Sequence, residues 1–256
     1  MSSLIEVRNV AKAFGGVRAL DGATLNVAKG SITGLIGPNG SGKTTLFNVI
    51  TGYVKADSGT VSFNGQDITG ARPDAVFALG VGRTFQITRI FSRISVLENM
   101  LVASQRKESW IRGLTRGMSS AEEIDNAMTW LHFVGLGAKS HLEAGSLSYG
   151  QRKLLELAYI LVANPDVILL DEPAGGVNLT LINDISEKIQ ALNEQGKTFL
   201  IVEHNMEFVM KICHSVTVMH QGKDLTEGSP EQVRSNPAVL DAYLGGADEG
   251  DDEVGA

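Results

Sequence analysis

The run GPNGSGKT at residues 37–44 constrains the fold of this chain more than any other stretch. It follows the apolar ITGLI and opens the helical pattern KTTLFNVI, so a strand must turn sharply into a helix here. Glycines allow that turn and let main-chain N–H groups point inward at an anion. The helix start adds partial positive charge. The spacing matches G-x-x-x-x-G-K-[ST], so Gly37, Pro38, Asn39, Gly40, Ser41, Gly42, Lys43, Thr44 and Thr45 are expected to hold nucleotide phosphates. Lys43 would reach the β- and γ-phosphates, and the Thr44 hydroxyl would ligate Mg²⁺. A plain glycine turn with a surface lysine is the alternative, and the strand–loop–helix context argues against it.

VILLDEP, residues 167–173, is an apolar strand closed by two carboxylates. With a phosphate loop in the chain, Asp171 is expected to hold Mg²⁺, and Glu172 to act as base or polariser for an attacking water. Gln86 follows VGRTF and His204 follows TFLIVE. Strands alternating with helices imply a parallel sheet, whose ligands gather at the carboxyl ends of the strands. Gly37, Gln86, Asp171, Glu172 and His204 would then converge on one edge. Gln86 is placed to sense metal and water, His204 to bond the γ-phosphate.

The first third reads as strands and turns, with LIEVRNV, ATLNVA and a hairpin at Asn64-Gly65. Pro73 marks the first turn of a short helix. SVLENMLVAS, AEEIDNAMTWLHFVGL and QRKLLELAYILVA carry helical spacing, which predicts a helical lobe over about 90–160. Strands at 167–170 and 198–202, helices at 180–194 and 206–213 and a hairpin-like SVTVMHQGKDLTEG follow. One nucleotide domain is expected over 4–245.

Composition limits partners more than fold. The net charge is −7, but five acids and no base fall in the last ten residues, which leaves −2 for the rest. Residues 246–256 read as an acidic disordered tail, and nothing suggests a nucleic-acid surface. Cys213, the one cysteine, excludes an internal disulfide and reads as a small core residue. Glu6 and Arg8 break the N-terminal apolar run, against a secretory signal, and no stretch approaches about 20 apolar residues. A membrane role would come through a partner.

LSYGQRK, residues 147–153, places Ser148 and Gly150 before a strong helix. The segment reads either as a Ser N-cap or as a second anion site. A chain with one phosphate loop and one further anion site suggests half-sites completed by a second copy.

GPNGSGKT, a glutamine after RTF, LSYGQ, VILLDEP and the histidine of VEHN together resemble the ATP-binding subunit of an ABC transporter, over nearly all the chain. The resemblance implies an α/β P-loop NTPase (RecA-like) core with an N-terminal antiparallel β-subdomain and an inserted helical subdomain. It implies ATP and Mg²⁺ as ligands, with Mg²⁺ at Thr44, Gln86 and Asp171. Catalysis would fall to Glu172, His204, Gln86 and Lys43, and Phe14 would stack on adenine unless it is a core residue. Two subunits, identical or paralogous, would close head to tail, with Ser148, Tyr149, Gly150 and Gln151 facing the partner's ATP. Tyr149 stands where the family usually has glycine. Asn178 stands where many members have aspartate, at a place that couples the two sites.

TTLFNVITG, RTFQITRIFSRISVLENMLVA, DEPAGGVN, VEHNMEFVM and AYLGG look like the branched-chain amino-acid importer group. Urea or amide importers and lipopolysaccharide exporters are the neighbouring alternatives. That likeness implies transmembrane permease partners docking near 87–100, an indirect link to a solute-binding protein, and a peripheral place on the cytoplasmic face of the cell membrane. Soluble ABC ATPases of repair or translation fit the length poorly, a phosphate-loop kinase leaves LSYGQ without a task, and no NKxD reads guanine.

Overall fold

The computed structural model describes residues 2–84, 90–104 and 120–244. Gln86, Trp110 with residues 105–119, and the tail 246–256 lie outside the described residues.

Two sheets build the molecule. β1 (Ser3–Phe14), β2 (Val17–Ala28), β4 (Ser58–Phe63) and the short β5 (Gln66–Asp67) form an antiparallel sheet in the order β2-β1-β4-β5. β6 (Val81–Arg83), β7 (Val167–Asp171), β8 (Thr198–Val202), β3 (Ile32–Ile36), β9 (Ser215–His220) and β10 (Lys223–Gly228) form the second, in the order β10-β9-β3-β8-β7-β6. Five of these strands run parallel, and β10 returns antiparallel on β9 as the edge. The carboxyl ends of β3, β6, β7 and β8 therefore share one edge, the place where ligands collect in such sheets.

The core strands β3, β7 and β8 are buried along their whole length, as expected for a parallel sheet covered on both faces. Their side chains alternate between two cores. Leu35, Val167, Leu169, Leu200 and Val202 face the antiparallel sheet and the apolar side of α1 (Lys43–Ile50). Ile32, Ile36, Ile168, Leu170, Phe199 and Ile201 face the helices on the other side. These are α3 (Val96–Ser104), α4 (Ala121–Phe133), α5 (Tyr149–Leu161), α6 (Leu179–Glu194) and α7 (Met206–Ile212). The short α2 is Pro73–Ala78, with Pro73 in its first turn; α8 (Pro230–Arg234) and α9 (Pro237–Leu244) follow β10. Cys213 packs inside this core, and burial pushes its thiol up to about 12. No helix among the described residues is long and apolar enough to cross a membrane.

Candidate nucleotide site

The phosphate loop spans the gap from β3 to α1. Gly37 has φ +148°, and a Cβ there would collide with the Met219 carbonyl of β9; Gly42, at the start of α1, has φ +103°. Only glycine tolerates both positions. The Lys43 ammonium folds back over the loop, donating to the carbonyls of Gly37 and Pro38, each at 2.8 Å. Burial lowers its pKa, and the charges of Glu172 and Asp171 act in the opposite direction. Both carboxylates thus lie within electrostatic reach of Lys43. No side chain caps the start of α1, and Thr44 lies exposed in its first turn.

Asp171 ends β7 almost fully buried. Its carboxylate meets the Arg83 guanidinium at 3.2 Å, and its N–H donates to the Thr84 hydroxyl at 3.0 Å. Arg83 also donates to Asn48 Oδ1 at 2.7 Å and Thr51 Oγ1 at 2.9 Å, and lies over the rings of Phe47 and Tyr53. One arginine therefore ties β6, α1 and β7 together behind the loop. Burial raises the Asp171 pKa, against the pull of Arg83. A buried carboxylate and an exposed hydroxyl at this edge are hard oxygen donors. They suit Mg²⁺, which keeps few protein ligands and shares the phosphates of its nucleotide. Among the described residues no group of three or more His, Cys, Asp or Glu side chains forms a closed metal site.

Glu172 is the next residue, and its backbone lies in the left-handed region at φ +50°. For a residue with a side chain this costs about 1 kcal/mol, so neighbouring contacts must hold it. Its N–H donates to the Val202 carbonyl at 2.9 Å, and its own carbonyl accepts from Gly175 N at 3.1 Å. His204 Nδ1 stands 3.7 Å from the Glu172 carboxylate, so the ends of β7 and β8 bring these two predicted residues together. Between them lies a residue that sequence reasoning passed over. Glu203 is fully buried, and its carboxylate accepts from the N–H groups of Ala174 at 2.6 Å, His204 at 3.1 Å and Asn205 at 3.2 Å. It fastens the turn after β7 to the turn after β8. A carboxylate directly after the apolar run FLIV was the available signal, since such a group must be satisfied inside.

Phe14 is half exposed at the turn between β1 and β2, so it is not the core residue offered as its alternative; the Lys12 ammonium lies 5.4 Å from its ring. The structure makes Ser148 an N-cap. Its hydroxyl accepts from Gln151 N at 3.3 Å, and Gln151 Oε1 accepts from Ser148 N at 3.1 Å. Ser148 is exposed, so the cap leaves it on the surface. Gly150 fits because a Cβ would strike Leu181 of α6. Tyr149 lies across the turn after Glu172, its hydroxyl donating to the Gly175 carbonyl at 3.4 Å. Asn178 caps α6, its side-chain oxygen accepting from Leu181 N at 3.0 Å. Gln86 lies outside the described residues.

Comparisons with known proteins agree with this geometry. The ABC transporter family model matches residues 20–175, and the branched-chain amino acid ATP-binding cassette transporter model matches residues 225–249. The high-affinity branched-chain amino acid transport ATP-binding protein LivG of Escherichia coli K12 is 39% identical over 251 residues, covering 95% of this chain and 98% of LivG. A solved ATP-binding cassette of an ABC transporter in its ADP conformation superposes with a TM-score of 0.86 at 37% identity, covering 96% of this chain and 100% of that one. A bacterial ABC transporter cassette solved as a dimer gives 0.77 at 26% identity, covering 89% and 99%. With a phosphate loop, a strand-end carboxylate pair and a capped LSYGQ helix on one α/β core, the chain belongs to the ABC transporter family as an ATP-binding subunit, a transport ATPase.

Proposed function

We propose that this subunit hydrolyses ATP to drive import of branched-chain amino acids, working as half of a nucleotide-closed pair beneath a transmembrane permease. The observation that carries the chemistry is the convergence of Lys43, Asp171, Glu172 and His204 at one sheet edge, with His204 3.7 Å from Glu172. The importer branch is supported by likeness to LivG and by the C-terminal match at 225–249.

In this reading the N–H groups of the phosphate loop and Lys43 neutralise charge on the β- and γ-phosphates, the main task in phosphoryl transfer. Phe14, presented outward from its turn, stacks on the adenine. Thr44 and Asp171 would hold Mg²⁺, with Gln86 as a further ligand, and the ion would offset charge on the phosphate oxygens. Glu172 orients or deprotonates the attacking water, and His204 bonds the γ-phosphate. Ser148, Tyr149, Gly150 and Gln151 present the α5 start to the partner's ATP. Loss of the γ-phosphate removes the bridge and lets the pair open. The permease docks near 87–100, which keeps the subunit on the cytoplasmic face of the membrane. The solute-binding protein acts on it only through that permease.

Glu172→Gln tests this reading. With saturating ATP it should accumulate as a dimer on size-exclusion chromatography. A monomer under those conditions would count heavily against paired half-sites.

A further inference from the structure

The first two turns of α5 carry a contact set that the reading above leaves unused. Lys153 is buried, and its ammonium donates to the Glu172 carbonyl at 3.2 Å. Tyr149, four residues earlier on the same helical face, donates to the Gly175 carbonyl and lays its ring against Gly176. The Lys153 ammonium also stands 5.8 Å from the Tyr149 ring centroid. Lys153 lines a small cavity with Thr84, Asp171 and Pro173, directly beneath the turn that presents Glu172. A lysine head is not buried without a partner. Here one partner is the main chain of Glu172, the one described non-glycine site residue held in the left-handed region, and the Lys153 charge also acts on Asp171.

We propose that Lys153 and Tyr149 are positioning residues for Glu172, so that each chain's hydrolytic carboxylate responds to the engagement of the same chain's LSYGQ segment by the partner's nucleotide. This rests on the half-site reading. A helix turn is stiff, and Ser148 caps the helix that carries both side chains. A force on Ser148 from a γ-phosphate across the interface therefore reaches Lys153, and through it the carbonyl that sets the direction of Glu172. The two ATP sites would be linked inside each chain, with each chain's signature helix resting on its own hydrolytic turn.

The test is steady-state ATP hydrolysis by the full chain. Lys153 lies behind Glu172, so Lys153→Met should lower kcat about 10- to 100-fold, the loss expected for a displacement near 1 Å. KM for ATP should stay within about threefold, and Lys153→Arg, which keeps a donor, should recover most of the rate. Lys153→Met/Glu172→Gln should still form the ATP-dependent dimer. Tyr149→Phe should lower kcat more mildly and reduce the Hill coefficient for ATP. If Lys153→Met does not fold, Lys153→Gln, which shortens the side chain and removes its charge, and Tyr149→Phe read the same split. A Lys153→Met enzyme with wild-type kcat overturns the proposal, as does a loss shared equally by kcat, KM and dimer formation. If Glu172→Gln alone fails to dimerise, the half-site reading falls instead, so the two failures are told apart.

Discussion

Asp171 shows how burial and charge compete at one residue. Arg83 favours its ionised form, yet desolvation is the larger influence and its pKa is raised above 3.8. A carboxyl with a raised folded-state pKa contributes stability that is fully present below its unfolded pKa and lost as pH rises through the folded one. Nucleotide-free Asp171→Asn does not titrate, so it should gain stability relative to wild type as pH rises from below 3.8 towards neutral. Denaturant unfolding at stepped pH measures this; a difference constant with pH would mean that Arg83 cancels the burial. The same locality explains what was legible in the sequence. Lys43, Asp171, Glu172 and His204 stand out because each follows a strand within a short motif. Arg83, Lys153 and Glu203 did not, because their partners, Asp171, Glu172 and Ala174, lie 88, 19 and 29 residues away.

At the scale of elements, the capped helix starts carry the most information. α4, α5 and α8 each begin with a serine and a reciprocal Glu or Gln three residues on, and all three are capping boxes. α6 begins on Asn178, where many relatives were expected to have aspartate. Both residues cap equally well, so the exchange keeps the helix start. Asn178→Ala should cost about 1 kcal/mol in denaturant unfolding, while Asn178→Asp should cost nearly nothing; equal losses would place the contribution of Asn178 outside the cap. The existence of strands and helices was readable in the sequence, from helical spacing for α3, α4 and α5 and from Pro73 for α2. Boundaries were less so. β1 and β2 run to Phe14 and from Val17, because cross-strand pairing carries both strands past the runs 4–10 and 23–28 that stood out in the sequence. β6 ends at Arg83, whose side chain reaches Asp171, and Thr84 N still donates to the Leu169 carbonyl of β7 at 2.9 Å.

At the scale of the whole molecule, two incomplete sites in one chain call for a test between chains. Lys43→Ala should abolish productive ATP binding and turnover, and Ser148→Arg should do the same by filling the α5 start with a bulky cation. In an equal mixture, a pair of one variant with the other leaves one composite site intact, so ATPase activity should partly return; a mixture as inactive as its parents would oppose sharing of sites across the interface. The sheet order has another consequence, in the timing of synthesis. β3, which leads into the phosphate loop, is hydrogen-bonded on its two sides to β8 and β9. The loop itself is braced by Gly222 N donating to the Ser41 carbonyl at 3.0 Å, while the Gly222 carbonyl accepts from Asp21 N. Those braces are not made until residues 198–222 have left the ribosome. A nascent chain therefore displays the whole GPNGSGKT motif for most of its translation without the frame that shapes it, and competence to hold a nucleotide arrives late, nearly together with completion of the domain.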